Sequence, residues 1–221
     1  MIQLTPSESR VLGVLIEKAL TTPDQYPLSL NALVAGCNQK NNRHPVLTMT
    51  EDEVFDAVES LRGKQLTIRV DVANSRVHRY KQTLGETLRA RTAEVAILAE
   101  LLLRGPQTLG ELRGRASRMH PLESLDAAAD MLRALMERPE PLVRQIAPSP
   151  GSRAERFVQL LCPDLHPLDA PATMPAVAQA AVSTPQPSAA LAERVERLEV
   201  EVATLRQTVT RLAEALGEPP Q

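Results

Sequence analysis

The chain has 221 residues, of which 25 are Lys or Arg and 27 are Asp or Glu, so its formal net charge is -2. This near-balance excludes a strongly basic histone-like binder and an acidic disordered tail protein, although it leaves room for local basic patches. Trp is absent and only Tyr26, Phe55, Tyr80 and Phe157 are aromatic, which argues against a platform on which single-stranded nucleic-acid bases stack. The length fits one or two domains.

Residues 1–88 predict three helices followed by a β-hairpin. The first helix begins at the capping box Thr5-Pro6-Ser7-Glu8, and the third begins at a second capping box, Thr50 to Glu53. The second helix is predicted to start at Pro27. Two short β runs, 66–72 and 76–80, follow around turn residues. This order is typical of a winged-helix domain.

Residues 89–165 repeat the same pattern, which predicts a second winged-helix domain in tandem with the first. The matches fall in three groups. At an offset of 79 residues, Pro106, Leu109 and Leu112 match Pro27, Leu30 and Leu33; at 71, Leu125, Ala129 and Leu132 match Val54, Val58 and Leu61; and at 77, Arg153, Arg156 and Phe157 match Arg76, Arg79 and Tyr80. The drop from 79 to 71 predicts eight extra residues between the second and third helices of the first copy. This insert lies within residues 37–45.

The C-terminal part of the chain has a different composition. Residues 166–190 are rich in Pro and Ala, which predicts a disordered linker. Residues 191–217 carry an unbroken heptad with Leu at d and Val mostly at a, the pattern of a parallel two-stranded coiled coil. We therefore expect a homodimer, with a seam formed by Leu191, Val195, Leu198, Val202, Leu205, Val209, Leu212 and Leu216.

Four separated stretches of the chain occur in the order found in a known family. They read CNQKNNRHP, RVHRYK, LLRGPQTLGELRGRASRMH and LVRQI…GSRAERFVQLLCP. Over about residues 3–163 the chain resembles the YceH-like family of uncharacterised bacterial proteins. The resemblance implies a tandem winged-helix fold, mainly α with small β-hairpin wings, and it implies no established activity, catalytic residue or cofactor.

The charge pattern of the predicted third helices is unlike that of a base-reading helix. Their outward faces carry Asp52, Glu53, Asp56 and Glu59 in the first copy and a mixture of acids and arginines in the second, and carboxylates repel phosphates. Basic and amide residues lie instead in the insert, on the hairpins and near the second helix of the second copy. The residues predicted to bind nucleic acid or a partner are Lys40, Asn41, Asn42, Arg43, Arg76, Arg79, Lys81, Arg113, Arg115, Arg118, Arg153 and Arg156.

Each of these features also has a structural interpretation. Arg and Lys on a hairpin protect edge strands from pairing with another sheet. The insert from Gln39 to Pro45 either contacts a phosphate backbone or a partner, or uses its amides to satisfy its own backbone. Both interpretations of the insert stay open, and we expect its removal to leave the fold intact.

The sequence contains no phosphate-binding Gly-rich loop, zinc-protease motif or nucleophile elbow. Cys37 and His44 are near each other, but a lone Cys on a helix is more typical of core packing than of a nucleophile. We therefore expect a cytoplasmic, non-enzymatic protein without cofactor, metal, membrane segment or small-molecule substrate. The leading function is a nucleic-acid-associated regulator that contacts the DNA backbone through basic wings. The alternative is a protein-interaction scaffold, similar to the tandem winged-helix subunits that bind chromosome-condensation proteins.

Overall fold

The first repeat begins with a helix and ends with a hairpin. In the computed structural model, which describes residues 2–71, 77–163 and 165, its elements are α1 (Pro6–Thr21), a short 3-10 turn (Pro23–Gln25), β1 (Leu28–Ser29), α2 (Leu30–Cys37), α3 (Glu51–Gly63), β2 (Thr67–Val70) and β3 (Arg79–Gln82). The capping boxes predicted for α1 and α3 are confirmed. The predicted start of the second helix at Pro27 is wrong, because Leu28 and Ser29 pair with β3 before the helix begins.

The second repeat has the same order of elements. A short helix, α4 (Leu84–Leu88), leads into α5 (Thr92–Arg104), β4 (Gln107–Thr108), α6 (Leu109–Ala116), α7 (Leu125–Met136), β5 (Val143–Ile146) and β6 (Arg156–Gln159). Each repeat forms one antiparallel three-stranded sheet in which the last strand is central, in the orders β1-β3-β2 and β4-β6-β5. The described part of the chain is therefore mainly helical with two small antiparallel sheets.

The structure corrects the predicted size of the insert. The helices α2 and α6 are related by the predicted offset of 79 residues. In α7, however, the buried positions are Ala128, Leu132 and Leu135, whereas Leu125 is 52% exposed. The buried positions of α3 therefore correspond to α7 at an offset of 74 rather than 71. The first repeat contains five extra residues between these helices, not eight.

The two repeats share one hydrophobic core through their first helices. The helix α1 packs along α5 more extensively than any other pair of elements. As a result, α1 is buried on more than the single apolar face that its sequence predicts, and Val11 and Val14 are as deeply buried as Leu12 and Leu15. The predicted boundary near residue 88 falls at the end of α4, between two halves of one packed unit.

Several predicted features lie outside the described residues. They are Arg76, the linker and the whole heptad helix. Among the described residues, no helix is both long enough and apolar enough to span a bilayer.

A close approach of α2 to α1 depends on Gly36. A Cβ placed at Gly36 would lie 2.6 Å from Cγ1 of buried Val14, whereas a Cβ at Gly114 on α6 would have no atom within 4 Å. We expect Gly36→Ala to lower the free energy of unfolding by about 1–3 kcal/mol, as overpacking does. The matched variant Gly114→Ala is expected to raise it by about 0.5–1 kcal/mol, because Ala favours the helix. Urea unfolding measures both, and equal effects would contradict this packing.

Candidate functional site

The insert places a charged side chain inside the protein. The side chain of Arg43 has no exposed surface, and its guanidinium group meets the carboxylate of Glu17 on α1, which is itself only 2% exposed. The two groups form a double hydrogen bond, with distances of 3.2 Å from Nη1 and 2.5 Å from Nη2. Arg43 also donates to the carbonyl oxygen of Gly36 and to Oε1 of Gln39. Such a fork-to-fork pair is the geometry in which an Arg–carboxylate contact is strongest.

This pair belongs to a closed ring of charged and polar side chains, which we call the charged ring. It is formed by Glu17, Asn42, Arg43, Glu100, Arg104 and Arg118. Nη1 of Arg118 lies 2.7 Å from Glu17, and its Nη2 donates to Glu100 over 3.0 Å. Glu100 also contacts Arg104, which donates to the side-chain oxygen of Asn42. Arg43 donates to the backbone carbonyl of Asn42 over 2.8 Å, and this contact closes the ring. The ring therefore connects α1 and the insert of the first repeat to α5 and the segment after α6 in the second.

The arginines of the ring stabilise the charged form of Glu17. Burial alone would raise the pKa of Glu17, but the hydrogen bond and positive charge of Arg43, together with Arg118, outweigh burial and lower the pKa of Glu17 below its ordinary value. Glu17 therefore stabilises the fold as a carboxylate above its unfolded pKa, and this contribution is lost as the pH falls through the folded pKa.

Hydrogen bonds to the backbone hold the rest of the insert against α1 and α5. Arg10, a fully buried residue of α1, donates to the carbonyl oxygens of Cys37 and Pro45, at the two ends of the insert. The backbone N–H of His44 donates to Leu103 on α5 over 2.8 Å. Asn38 exchanges two hydrogen bonds with the backbone of Met49. These contacts anchor the insert to the body of the protein and bury the Arg43 side chain, which leaves it no surface for a ligand. They oppose the expectation that the insert can be removed without loss of the fold, which stays a prediction.

Most of the other predicted binding residues are also bonded within the protein. Arg79 and Arg156, which are equivalent in the two repeats, lie on central strands and donate to the backbone carbonyls of Pro27 and Ala147. They brace the sheets, so edge protection does not explain them. Arg113 donates to the carbonyls of Leu122 and Glu123, and Arg115 contacts Gln107 and Glu111.

Few of the predicted basic or amide side chains are both exposed and without a polar partner inside the protein. Lys40 and Asn41 at the tip of the insert and Arg153 on the second hairpin are exposed and have no polar partner among the described residues. Lys81 is half-exposed and lies 3.8 Å from Glu86. These side chains come from three separate loops and strands, and Arg76 lies outside the described residues.

The exposed face of α3 carries the clearest surface pattern. Asp52, Phe55, Asp56 and Glu59 follow one another at helical spacings of three, one and three residues, and they therefore share one side of the helix. Phe55 is 43% exposed, and the carboxylates of Asp52 and Asp56 have no cationic partner within the described chain. We call these four residues the acidic–aromatic stripe. Glu59 contacts Arg62 at its end.

Sequence reasoning missed three members of the charged ring, Glu17, Glu100 and Arg104, and the buried Arg10 beside it. A signal was present for Glu100, because it interrupts the apolar run from Val95 to Leu103. A charge inside such a run indicates either an exposed helix face or a buried partner, and only the packing of α1 against α5 distinguishes them.

The described residues contain no group of three or more His, Cys, Asp and Glu side chains placed to hold a metal ion. Burial raises the pKa of Cys37 to about 12, against the smaller opposing effects of Arg10 and Arg43. The Cys37 thiol therefore stays protonated at neutral pH and packs as a small apolar group.

Removing Arg43 tests the structural role of the insert. We expect Arg43→Ala to lower the free energy of unfolding by about 3 kcal/mol, near the lower end of the ~3–5 kcal/mol typical of a broken buried pair, because Arg118 still contacts Glu17. Lys40→Ala, which changes an exposed cation in the same loop, should have almost no effect. Thermal and urea unfolding of both variants measure the difference, and similar losses of stability would contradict a structural role for Arg43.

Comparison with known proteins identifies the family of the chain. Residues 4–152 match the model of a family described as protein of unknown function DUF480. A UPF0502 protein of Geobacter sulfurreducens is 48% identical over 92% of this chain and 90% of its own length. The UPF0502 protein YceH of Salmonella paratyphi A is 41% identical over 98% of this chain and 99% of its own length. The predicted resemblance is confirmed, and this chain belongs to the UPF0502 (DUF480) family.

Proposed function

We propose that this chain is a non-enzymatic tandem winged-helix protein that serves as a protein-interaction scaffold and binds a basic segment of a partner protein through the acidic–aromatic stripe of α3. The observation that carries the proposal is the stripe itself, in which an exposed aromatic ring lies among three carboxylates. The internal hydrogen bonds of Arg43, Arg79, Arg113 and Arg156 support it, because they engage cations that a phosphate-binding surface would need.

The order of the elements supports the winged-helix interpretation. In each repeat three helices precede a hairpin, and a short strand before the second helix completes the sheet. The third helix of such a domain is the one that commonly enters the DNA major groove. In this chain that helix presents Asp52, Asp56 and Glu59, which would repel phosphates.

The chemistry of the stripe defines the partner that it fits. A ring such as Phe55 contributes most when it is covered by apolar side chains, and the surrounding carboxylates attract Lys and Arg. A basic amphipathic segment, with apolar residues along one side and cations beside them, satisfies both requirements. Binding should weaken with salt, because the exposed charges are screened.

Nucleic acid is the second candidate, and the second hairpin favours it. Arg144 and Arg153 are both exposed there and have no polar partner within the described chain. A few such cations give weak, salt-sensitive contact with the phosphate backbone and no base readout.

A charge reversal on α3 discriminates between the two candidates because its effects have opposite signs. The variant Asp52→Lys with Asp56→Lys should weaken binding of a short amphipathic Lys/Leu peptide at least tenfold and should strengthen binding of a short DNA duplex. The matched control, Asp126→Lys with Asp130→Lys on α7, makes the same change of charge on a helix without an exposed aromatic ring. Fluorescence anisotropy of labelled peptide and duplex, with the full chain at low salt, measures all of these affinities.

The outcomes separate the candidates cleanly. Loss of peptide binding in the α3 variant but not in the α7 variant supports the scaffold. Equal losses in both would reduce the effect to net charge and contradict a specific stripe. Tight binding of the unmodified chain to the duplex, abolished by Arg144→Ala with Arg153→Ala, would favour the nucleic-acid function instead.

We further propose that the heptad helix, residues 191–217, joins two copies into a parallel dimer. Leu198→Glu with Leu205→Glu would place carboxylates without partners in the seam, so light scattering should show a monomer. Thr204→Glu with Gln207→Glu adds the same charge at outward positions of the heptad and should leave the dimer intact. A dimer that survives the seam substitutions would show that another surface is responsible.

A further inference from the structure

The charged ring contains more positive than negative charge. Three guanidinium groups, those of Arg43, Arg104 and Arg118, surround the two carboxylates of Glu17 and Glu100. The buried guanidinium group of Arg10 lies close enough to Arg43 for their charges to interact. Arg115 on α6 adds a further cation, which Glu111 balances. These five arginines therefore outnumber the three glutamates beside them, Glu17, Glu100 and Glu111, by two.

Three of these arginines lie at the partly exposed side of the ring. Arg104 and Arg118 contact the two oxygens of the same carboxylate, Glu100, over 2.8 Å and 3.0 Å. Arg115 is tied to the same turn of α5, because it donates to the side chain of Gln107, which in turn donates to the carbonyl oxygen of Glu100. The side chains of Arg104, Arg118 and Arg115 are 24%, 30% and 38% exposed, so solvent reaches all three.

The internal contacts leave one donor of this group, Nε of Arg104, without a hydrogen bond. Nε of Arg104 lies near Oε1 of Glu100, but the two atoms are not aligned for a hydrogen bond, and both are buried without another partner in the described chain. Burial lowers the pKa of Arg104 first, and the like charges of Arg115, Arg118 and Arg43 lower it further against the opposing effect of Glu100. Mutual repulsion of this kind is relieved by an anion.

We propose that Arg104, Arg115 and Arg118 form a binding site for a small oxyanion of the phosphate class. Guanidinium groups donate in a planar fork that matches phosphate oxygens, and their partial burial strengthens each contact. The anion would complete the coordination of three cations that already converge on one turn of α5. This site is separate from the acidic–aromatic stripe and does not depend on the function proposed for it.

Titration of the full chain with pyrophosphate and with inorganic phosphate, against chloride at equal ionic strength, tests the site by calorimetry. We expect Arg104→Gln and Arg115→Gln each to weaken pyrophosphate binding about tenfold, the size expected from loss of charge-assisted hydrogen bonds. Arg133→Gln, which removes an exposed and paired arginine of α7, is the matched control and should bind as the unmodified chain does.

A gain of affinity provides an independent readout. Glu111→Gln removes the carboxylate that neutralises Arg115, so it should tighten pyrophosphate binding several-fold, whereas a purely structural role for Arg115 predicts no gain. If Arg104→Gln fails to fold, Arg115→Gln and Glu111→Gln still decide the question, because both lie outside the ring.

Three results would overturn the proposal. They are an absence of pyrophosphate binding at low salt, binding that neither Arg104→Gln nor Arg115→Gln weakens, and binding through these arginines of a DNA duplex but not of free phosphoanions. The last result would assign the same chemistry to a phosphodiester backbone. The α3 charge reversal should leave pyrophosphate binding unchanged, so the outcome is separable from that of the proposed scaffold.

Discussion

The packing of α1 against α5 is the constraint on which the arrangement of the two repeats depends, and it brings Glu17 to charged partners from both repeats. A buried carboxylate is costly unless it is paired, and Glu17 is paired twice, with Arg43 of the insert and with Arg118 of the second repeat. The insert of the first repeat and the segment after α6 therefore meet on one side chain of α1. The loop that holds the extra residues of the first repeat also carries Arg43, which completes the ring.

The arginines show both what the two repeats share and where they differ. Arg79 and Arg156 occupy equivalent central strands, and both donate to a backbone carbonyl, so each repeat has the same contact at its sheet. Arg115 has Gly36 as its equivalent, and the difference follows from packing. Gly36 lies against Val14, where no side chain fits, whereas Arg115 lies at the partly exposed edge of the ring.

The positions of the exposed charges favour the scaffold over nucleic-acid binding. A phosphate-binding surface needs exposed cations that converge on one face, and in the first repeat the outward face of α3 carries carboxylates and Phe55 instead. The convergent cations lie at the junction of the repeats, where Arg104, Arg115 and Arg118 surround one turn of α5. That location suits a small anion better than a duplex, because the side chains are only partly exposed.

The sequence by itself determined the order of the elements, the capping boxes at Thr5 and Thr50, the repeat and the family, because these features depend on local spacing. It also defined the acidic face of α3 and the heptad, whose role in dimerisation stays a prediction. Tertiary structure alone decided the register of α7. Leu125 and Ala128 are both apolar and lie about one helical turn apart, so the apolar pattern does not show that Ala128 is buried and Leu125 exposed. Tertiary structure also decided that Arg43 is buried. A polar loop has the same sequence signature whether it faces solvent or a buried carboxylate. Only the packing of α1 against α5 brings Glu17, Glu100 and Arg118 together beside Arg43.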